Sequence, residues 1–347
     1  MKTKNQSKAN YMNHVKLLLG AFLLLNSLIL LAQFPQQISD DPSLDGQKSD
    51  DELAYIQNTT ATSTTPILID DVPMKIELFN PQQINTIYED YCLSTSADKS
   101  IVIFCSEIYN GNRHEIPKNV SPSFYITSFD KSLSRWDYPV NLESEQRLII
   151  SDNVFSNHKK TKEIFIWKED KNNFDIFQMT FTSGNNIISW TEEIKLNSMI
   201  NTKYNETGAC MNADASTLYF VSDRPGGFGG KDIWASDKLS SGEWGKPYNL
   251  GSKVNTAEDE ESPFLLGDNA TLYFSSKGHN TLGGYDIFSC TLSDEGLWSN
   301  AENLGSPINS KNDDLFYLLS TDEKSAFYST IKSEGIGKKD IYQILFE

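Results

Sequence analysis

The stretch LYFVSDRPGGFGGKDIWASD (residues 218–237) is answered 54 residues later by LYFSSKGHNTLGGYDIFSC (residues 272–290). In both, an alternating apolar run leads through a glycine-rich loop to Asp-Ile-aromatic. The alternation argues for a half-buried strand, and the loop for a reversal into a second strand. The spacing extends outward. Tryptophans stand at Trp136, Trp190, Trp244 and Trp298, each 54 residues from the last. Asp232-Ile233, Asp286-Ile287 and Asp340-Ile341 keep the same step, and Phe174-Asp175-Ile176-Phe177 is the drifted counterpart one unit earlier. A long period shared by several residue types marks a fold built from repeated supersecondary units.

Within residues 256–305, strand patterns at Glu261–Leu266, Thr271–Ser276, Tyr285–Leu292 and Leu297–Leu304 are separated by Gly, Asp and Asn turns. That is the requirement of a four-stranded antiparallel sheet. Five units follow, with second strands beginning near residues 101, 163, 217, 271 and 325. The fifth unit ends after its third strand. Met74–Leu78, followed by Ile84-Asn85 and Glu89, resembles Glu193–Leu196 with Ile200-Asn201 and Glu206, and supplies the missing fourth strand. Such a closure hides open sheet edges. The reading is therefore an all-β, five-bladed β-propeller of four-stranded blades, spanning residues 65–347, its last blade closed by an N-terminal strand. A linear solenoid normally uses shorter coils. A sixth blade would have to come from residues 33–73, which are too polar.

The N-terminus reads differently. Lys2, Lys4, Lys8 and Lys16 precede an apolar run from Leu17 to Leu31, ending in Leu31-Ala32-Gln33. This is the layout of a secretory signal peptide over residues 1–32. The run is shorter than the roughly 20 residues that span a bilayer. Residues 33–64 read as a flexible polar leader. The expected location is the periplasm or the outer membrane, with no transmembrane span in the mature chain.

The formal charge of −17 becomes more negative once the basic N-terminus is removed. Such a surface repels nucleic acid, which is excluded as a partner. Cys92, Cys105, Cys210 and Cys290 match no zinc spacing. A Cys92–Cys105 bridge stays open, since export permits disulfides.

The repeated Trp136, Trp190, Trp244 and Trp298 read as packing between blades. Asp175, Asp232, Asp286 and Asp340 read as loop pins, their carboxylates accepting backbone N–H groups. Calcium would need further oxygens at close spacing. The loop PGGFGG lacks the Lys-Ser/Thr of a phosphate-binding loop. No nucleophile, cofactor or metal pattern stands out, and the expectation is a non-enzyme. The long loop Ser106–Ser123, with Arg113 and His114, and the glycine-rich loops 224–230 and 278–284, with Arg224, Phe228 and His279, are the candidate contact surfaces.

The two quoted stretches resemble the WD40-like propeller repeat of the TolB type, in the variant of exported Bacteroidota proteins but without the OmpA-like C-terminal domain. The resemblance covers residues 206–347 strongly and residues 90–205 weakly. It implies a non-catalytic docking scaffold for envelope proteins. The alternative is a carbohydrate-active propeller, a glycoside hydrolase or lyase with two or three carboxylates converging at the axis over an aromatic floor, or a glycan-binding one.

Overall fold

The computed structural model describes residues 74–79, 84–96, 99–106, 123–130, 132–143, 147–149, 161–184, 187–320 and 322–346. They belong to the unit Ser63–Glu347. The segments read as signal peptide and leader lie outside the described residues, as do Arg113 and His114.

The chain forms five antiparallel sheets arranged as a propeller. Blade one holds Asp90–Thr95, Ile101–Ser106, Ser123–Asp130 and Arg135–Trp136, with Val140–Asn141 also on the third strand. Blade two holds Arg147–Ile149, Thr161–Asp170, Asn173–Gly184, Ile187–Trp190 and Ile194–Lys195. Blade three runs Glu206–Met211, Thr217–Ser222, Asp232–Asp237 and Tyr248–Asn249. Blade four runs Glu260–Leu265, Thr271–Ser276, Asp286–Thr291 and Glu302–Asn303. Blade five combines Asp314–Leu319, Ser325–Thr330 and Asp340–Phe346 with Met74–Leu78. That last pairing runs from Met74 opposite Phe346 to Leu78 opposite Tyr342, so the N-terminal strand closes the ring.

The first strands of blades three, four and five touch in succession, and that of blade one touches blade five. They therefore surround the axis. In blade two, Thr161–Asp170 takes this place among the described residues, packing on Glu206–Met211. Residues 150–160, where the period would set a more axial strand, lie outside the described residues.

The blades are glued by apolar clusters between neighbours. Val221, Ile233, Leu272 and Phe274 share one cluster, with Trp298 against it, and join blades three and four. Ile176, Leu196, Phe220 and Trp244 join blades two and three. Trp190 packs in the cluster of blades one and two, its indole N–H donating to the Leu142 carbonyl at 3.0 Å. Trp136 lies edge-on to Phe79 at 5.3 Å.

A polar clamp repeats at four joints. In the connector leaving each blade, an asparagine side chain brackets the isoleucine that follows the third-strand aspartate. Asn201 does so on Ile176, Asn255 on Ile233, Asn309 on Ile287 and Asn85 on Ile341. The residue after each asparagine donates its backbone N–H to an acid four positions on: Thr86 to Asp90, Thr202 to Glu206, Thr256 to Glu260 and Ser310 to Asp314. The sequence reading set Glu89 in this register. The structure puts Asp90 there, while Glu89 pairs with Lys339. The register of blade one sets Cys92 opposite Phe104 and Cys105 opposite Tyr91, so the two cysteines are not directly opposed.

Candidate functional site

The innermost strands carry bulges at their midpoints, between Cys92 and Ser94, Thr207 and Ala209, Glu261 and Phe264, and Leu315 and Leu318. A bulge bends its strand and re-aims a side chain. Gly208, Ser262 and Phe316, spaced 54 apart, all have positive φ, at 35°, 56° and 57°. For phenylalanine this conformation is a steric outlier. It turns the Phe316 ring toward the axis, where it stacks on Trp167 of blade two at 5.9 Å and 6° between planes. Tyr91 of blade one meets the same ring at 4.5 Å. Blades two and five are not neighbours, so this stack crosses the axis.

Beside it lies a cavity of about 540 Å³. All five blades contribute to its lining, from Ser94 in blade one to Phe316, Tyr317 and Leu318 in blade five. Trp167, Phe264 and Phe316 are half-buried and give the wall aromatic surface, with Met211 beside them. The polar lining comes from Ser94, Glu163, Asn212 and Ser262. Among the described lining residues Glu163 is the carboxylate, and its Oε2 is enclosed without a hydrogen-bond partner. A buried oxygen left in that state is costly and is a ready acceptor for a donor entering the cavity. Cys210 also lines the wall, but burial pushes its thiol up to about 12, so it is inert as a nucleophile. Burial likewise pushes the Tyr317 phenol up.

The residues singled out in the sequence sit elsewhere, at the blade joints. Asp232 accepts the backbone N–H groups of Phe228 and Gly229 at 2.5 and 3.2 Å, and Asn249 donates to it at 2.9 Å. Asp286 accepts from Leu282 and Asn303, and Asp340 from Ile336 and Gly337. Asp175 differs, being paired with Lys195 at 2.5 Å. Gly229, Gly283 and Gly337 pack so closely on the next blade's connector that a Cβ at any of them would overlap its backbone oxygens. The glycine-rich loops are thus locked into the joints rather than spread as a free surface.

Arg224 is nearly enclosed. It donates to Glu206 at 3.2 Å, to the Met199 carbonyl at 3.1 Å and to the Ile200 carbonyl, and lies over Phe220 and Trp234. His279 takes the equivalent place in blade four, bonded to the Val254 carbonyl at 3.0 Å and against Phe274 and Phe288. Burial holds its imidazole below the ordinary value. In blade five Lys332 lies over Tyr328 and Tyr342. Of the three loop residues within the described set, Phe228 is the exposed one.

The axial cavity was missed because its lining comes from five distant segments, and bulge positions leave no periodic signal. The cross-axis Phe316 does not belong to any repeated aromatic position. Among the described residues no cluster of His, Cys, Asp and Glu could hold a metal ion. No helix among them is long and apolar enough to cross a membrane.

No family model matches the chain, and no curated protein matches it in sequence. Solved structures match in shape. A protein of unknown function from Dyadobacter fermentans is 11% identical, with 74% of this chain and 76% of that one covered and a TM-score of 0.45. An α-L-arabinofuranosidase of Fusarium graminearum in complex with an iminosugar inhibitor is 11% identical, covering 79% and 98%, with a TM-score of 0.44. An α-L-arabinofuranosidase of Lactobacillus brevis is 12% identical, covering 76% and 93%, with a TM-score of 0.39. Likeness at this level is one of fold. The expected TolB-type kinship is corrected: no family model matches the chain, the TolB type included, and the solved structures share the fold alone. The expected non-enzymatic, protein-binding scaffold is corrected on the axis itself, which holds an aromatic cavity with a carboxylate where a docking platform calls for a flat or plugged face.

Proposed function

We propose that the chain is carbohydrate-active and that its axial cavity seats a saccharide ring. The observation that carries this reading is the cavity wall, which sets the aromatic side chains Trp167, Phe264 and Phe316 beside the unpartnered carboxylate oxygen of Glu163. A sugar ring has an apolar face that covers aromatic carbon and an edge of hydroxyl donors that a carboxylate accepts. The cavity volume falls in the range of small-molecule sites, about 300–1,000 Å³. Glycoside hydrolysis by the usual pair of carboxylates needs a second acid about 5–10 Å from the first. Among the described lining residues Glu163 is one such acid, and its place beside the aromatic wall supports a carbohydrate-active site. The basic N-terminus and the apolar run Leu17–Leu31 support an exported setting in the periplasm or at the outer membrane.

The test is calorimetric titration of the folded chain with arabino-, xylo- and gluco-configured oligosaccharides, with reducing-sugar release measured on the same samples. Binding that Trp167→Ala weakens at least tenfold, in a chain that still unfolds in one cooperative transition, is the expected result. Absence of binding to every class at millimolar saccharide overturns the reading.

A further inference from the structure

Building on the saccharide reading, we infer that the axial cavity selects a sugar bearing a free ammonium group, an amino sugar, over neutral, N-acetylated or acidic sugars. The first observation is Glu163. Its Oε2 is enclosed in the protein with no donor, as is Asp314 Oδ1, whereas both oxygens of Glu206 and of Glu260 have donors. Glu206 accepts from Thr202, Ser222 and Arg224, and Glu260 from Thr256 and Ser276. A carboxylate without a partner inside an aromatic wall is matched best by a charged donor, because a charge-assisted hydrogen bond is roughly twice as strong as a neutral one.

The second observation is the wall itself. Trp167, Phe264 and Phe316 offer ring faces and edges with no lysine or arginine among the described lining residues. Aromatic faces attract cations, most strongly when these are desolvated. Elsewhere in the molecule such faces are already taken by cations: Arg224 lies over Phe220 and Trp234, and Lys332 over Tyr328 and Tyr342. Among the described residues no such cation lies over the axial rings.

The ligand alone tests this without altering the fold. A glucosamine tetramer and its fully N-acetylated form differ in the ammonium group, and a galacturonate tetramer carries the opposite charge. Calorimetry at pH 6 is expected to give at least tenfold tighter binding of the glucosamine tetramer than of the acetylated one, and no uptake of the galacturonate. Glu163→Gln, nearly isosteric, is expected to erase the preference for the free amine. Equal affinity for the free and acetylated tetramers overturns the inference but leaves the saccharide reading standing. A preference that persists in Glu163→Gln also overturns it. Failure of every saccharide to bind removes both.

Discussion

Asn255 brackets Ile233 across the joint of blades three and four. Its Oδ1 accepts the Ile233 backbone N–H at 2.8 Å, and its Nδ2 donates to the Ile233 carbonyl at 2.9 Å. Asn255 is 1% exposed, so water cannot replace these bonds. Leu250 also donates to the Ile233 carbonyl, at 3.2 Å, which leaves the N–H as the group orphaned when the side chain is lost. Asn255→Ala is expected to cost about 2 kcal/mol, the penalty of one buried unsatisfied donor. Denaturant unfolding measures it. A change below about 0.5 kcal/mol, the usual effect of a surface substitution, would show the clamp to be incidental.

The glycine-rich loops make a sharper prediction. Gly229 faces the backbone oxygens of Thr256 and Glu258 on the next connector. Backbone cannot swing aside as a long side chain can. Gly229→Ala is therefore expected to lower the thermal midpoint by well over the effect of Gly242→Ala, whose added Cβ meets nothing within 4 Å. Both variants measured by calorimetry decide it. Gly242 has φ 89°, so its own substitution carries backbone strain and sets a demanding baseline.

Arg224 neutralises Glu206, which is fully buried. Removing one member of a buried pair leaves an uncompensated charge and costs about 3–5 kcal/mol. Arg224→Leu is expected to reach that range. Replacing both, as Arg224→Leu with Glu206→Gln, is expected to recover part of the loss, and a double-mutant cycle in urea reads the coupling.

Among the described residues Asp90, Glu260 and Asp314 have no cation in direct contact, and this sets a pH dependence. Burial, the largest influence, raises Asp90 to about 7, Glu260 to about 7 and Asp314 to about 6. Each faces an aspartate of the preceding blade, Asp340, Asp232 and Asp286 respectively, and the N–H groups of Thr86, Thr256 and Ser310, with the Ser276 hydroxyl on Glu260, partly offset the rise. The folded chain then holds protons that the unfolded chain has released near its ordinary values of 3.8 and 4.5. A raised folded value gives stability that is full below the unfolded value and lost as pH climbs through the folded one. The thermal midpoint should fall between about pH 4 and pH 7. His279 works the other way, since burial lowers its value and disfavours the folded state as pH drops below its ordinary 6.5. Glu260→Gln should flatten the profile. A midpoint that rises steadily from pH 5 to pH 8 at fixed ionic strength contradicts this account.

The contrast between what the sequence discloses and what it hides is physical. Trp190 and Trp244 recur because every blade must seal against its neighbour, and a repeated demand leaves a repeated residue. Met74–Leu78 was legible as the closing strand because its connector repeats Ile-Asn before an acid, although the acid is Asp90 rather than Glu89. The cavity was hidden because Trp167, Phe264 and Phe316 meet only after five blades converge, and no two of them share a repeat position. Arg224 and His279 looked like exposed loop residues, since sequence shows the loop but not the close approach its glycines allow.

The central claim is that a saccharide occupies the axis. The most direct measurement is a crystal structure of the chain with a bound oligosaccharide from the class that binds most tightly. The account predicts density for a sugar ring against Trp167 and Phe264, with a donor within hydrogen-bonding distance of Glu163 Oε2. Density confined to the outer strands or loops, with the axis empty at saturating saccharide, would contradict it.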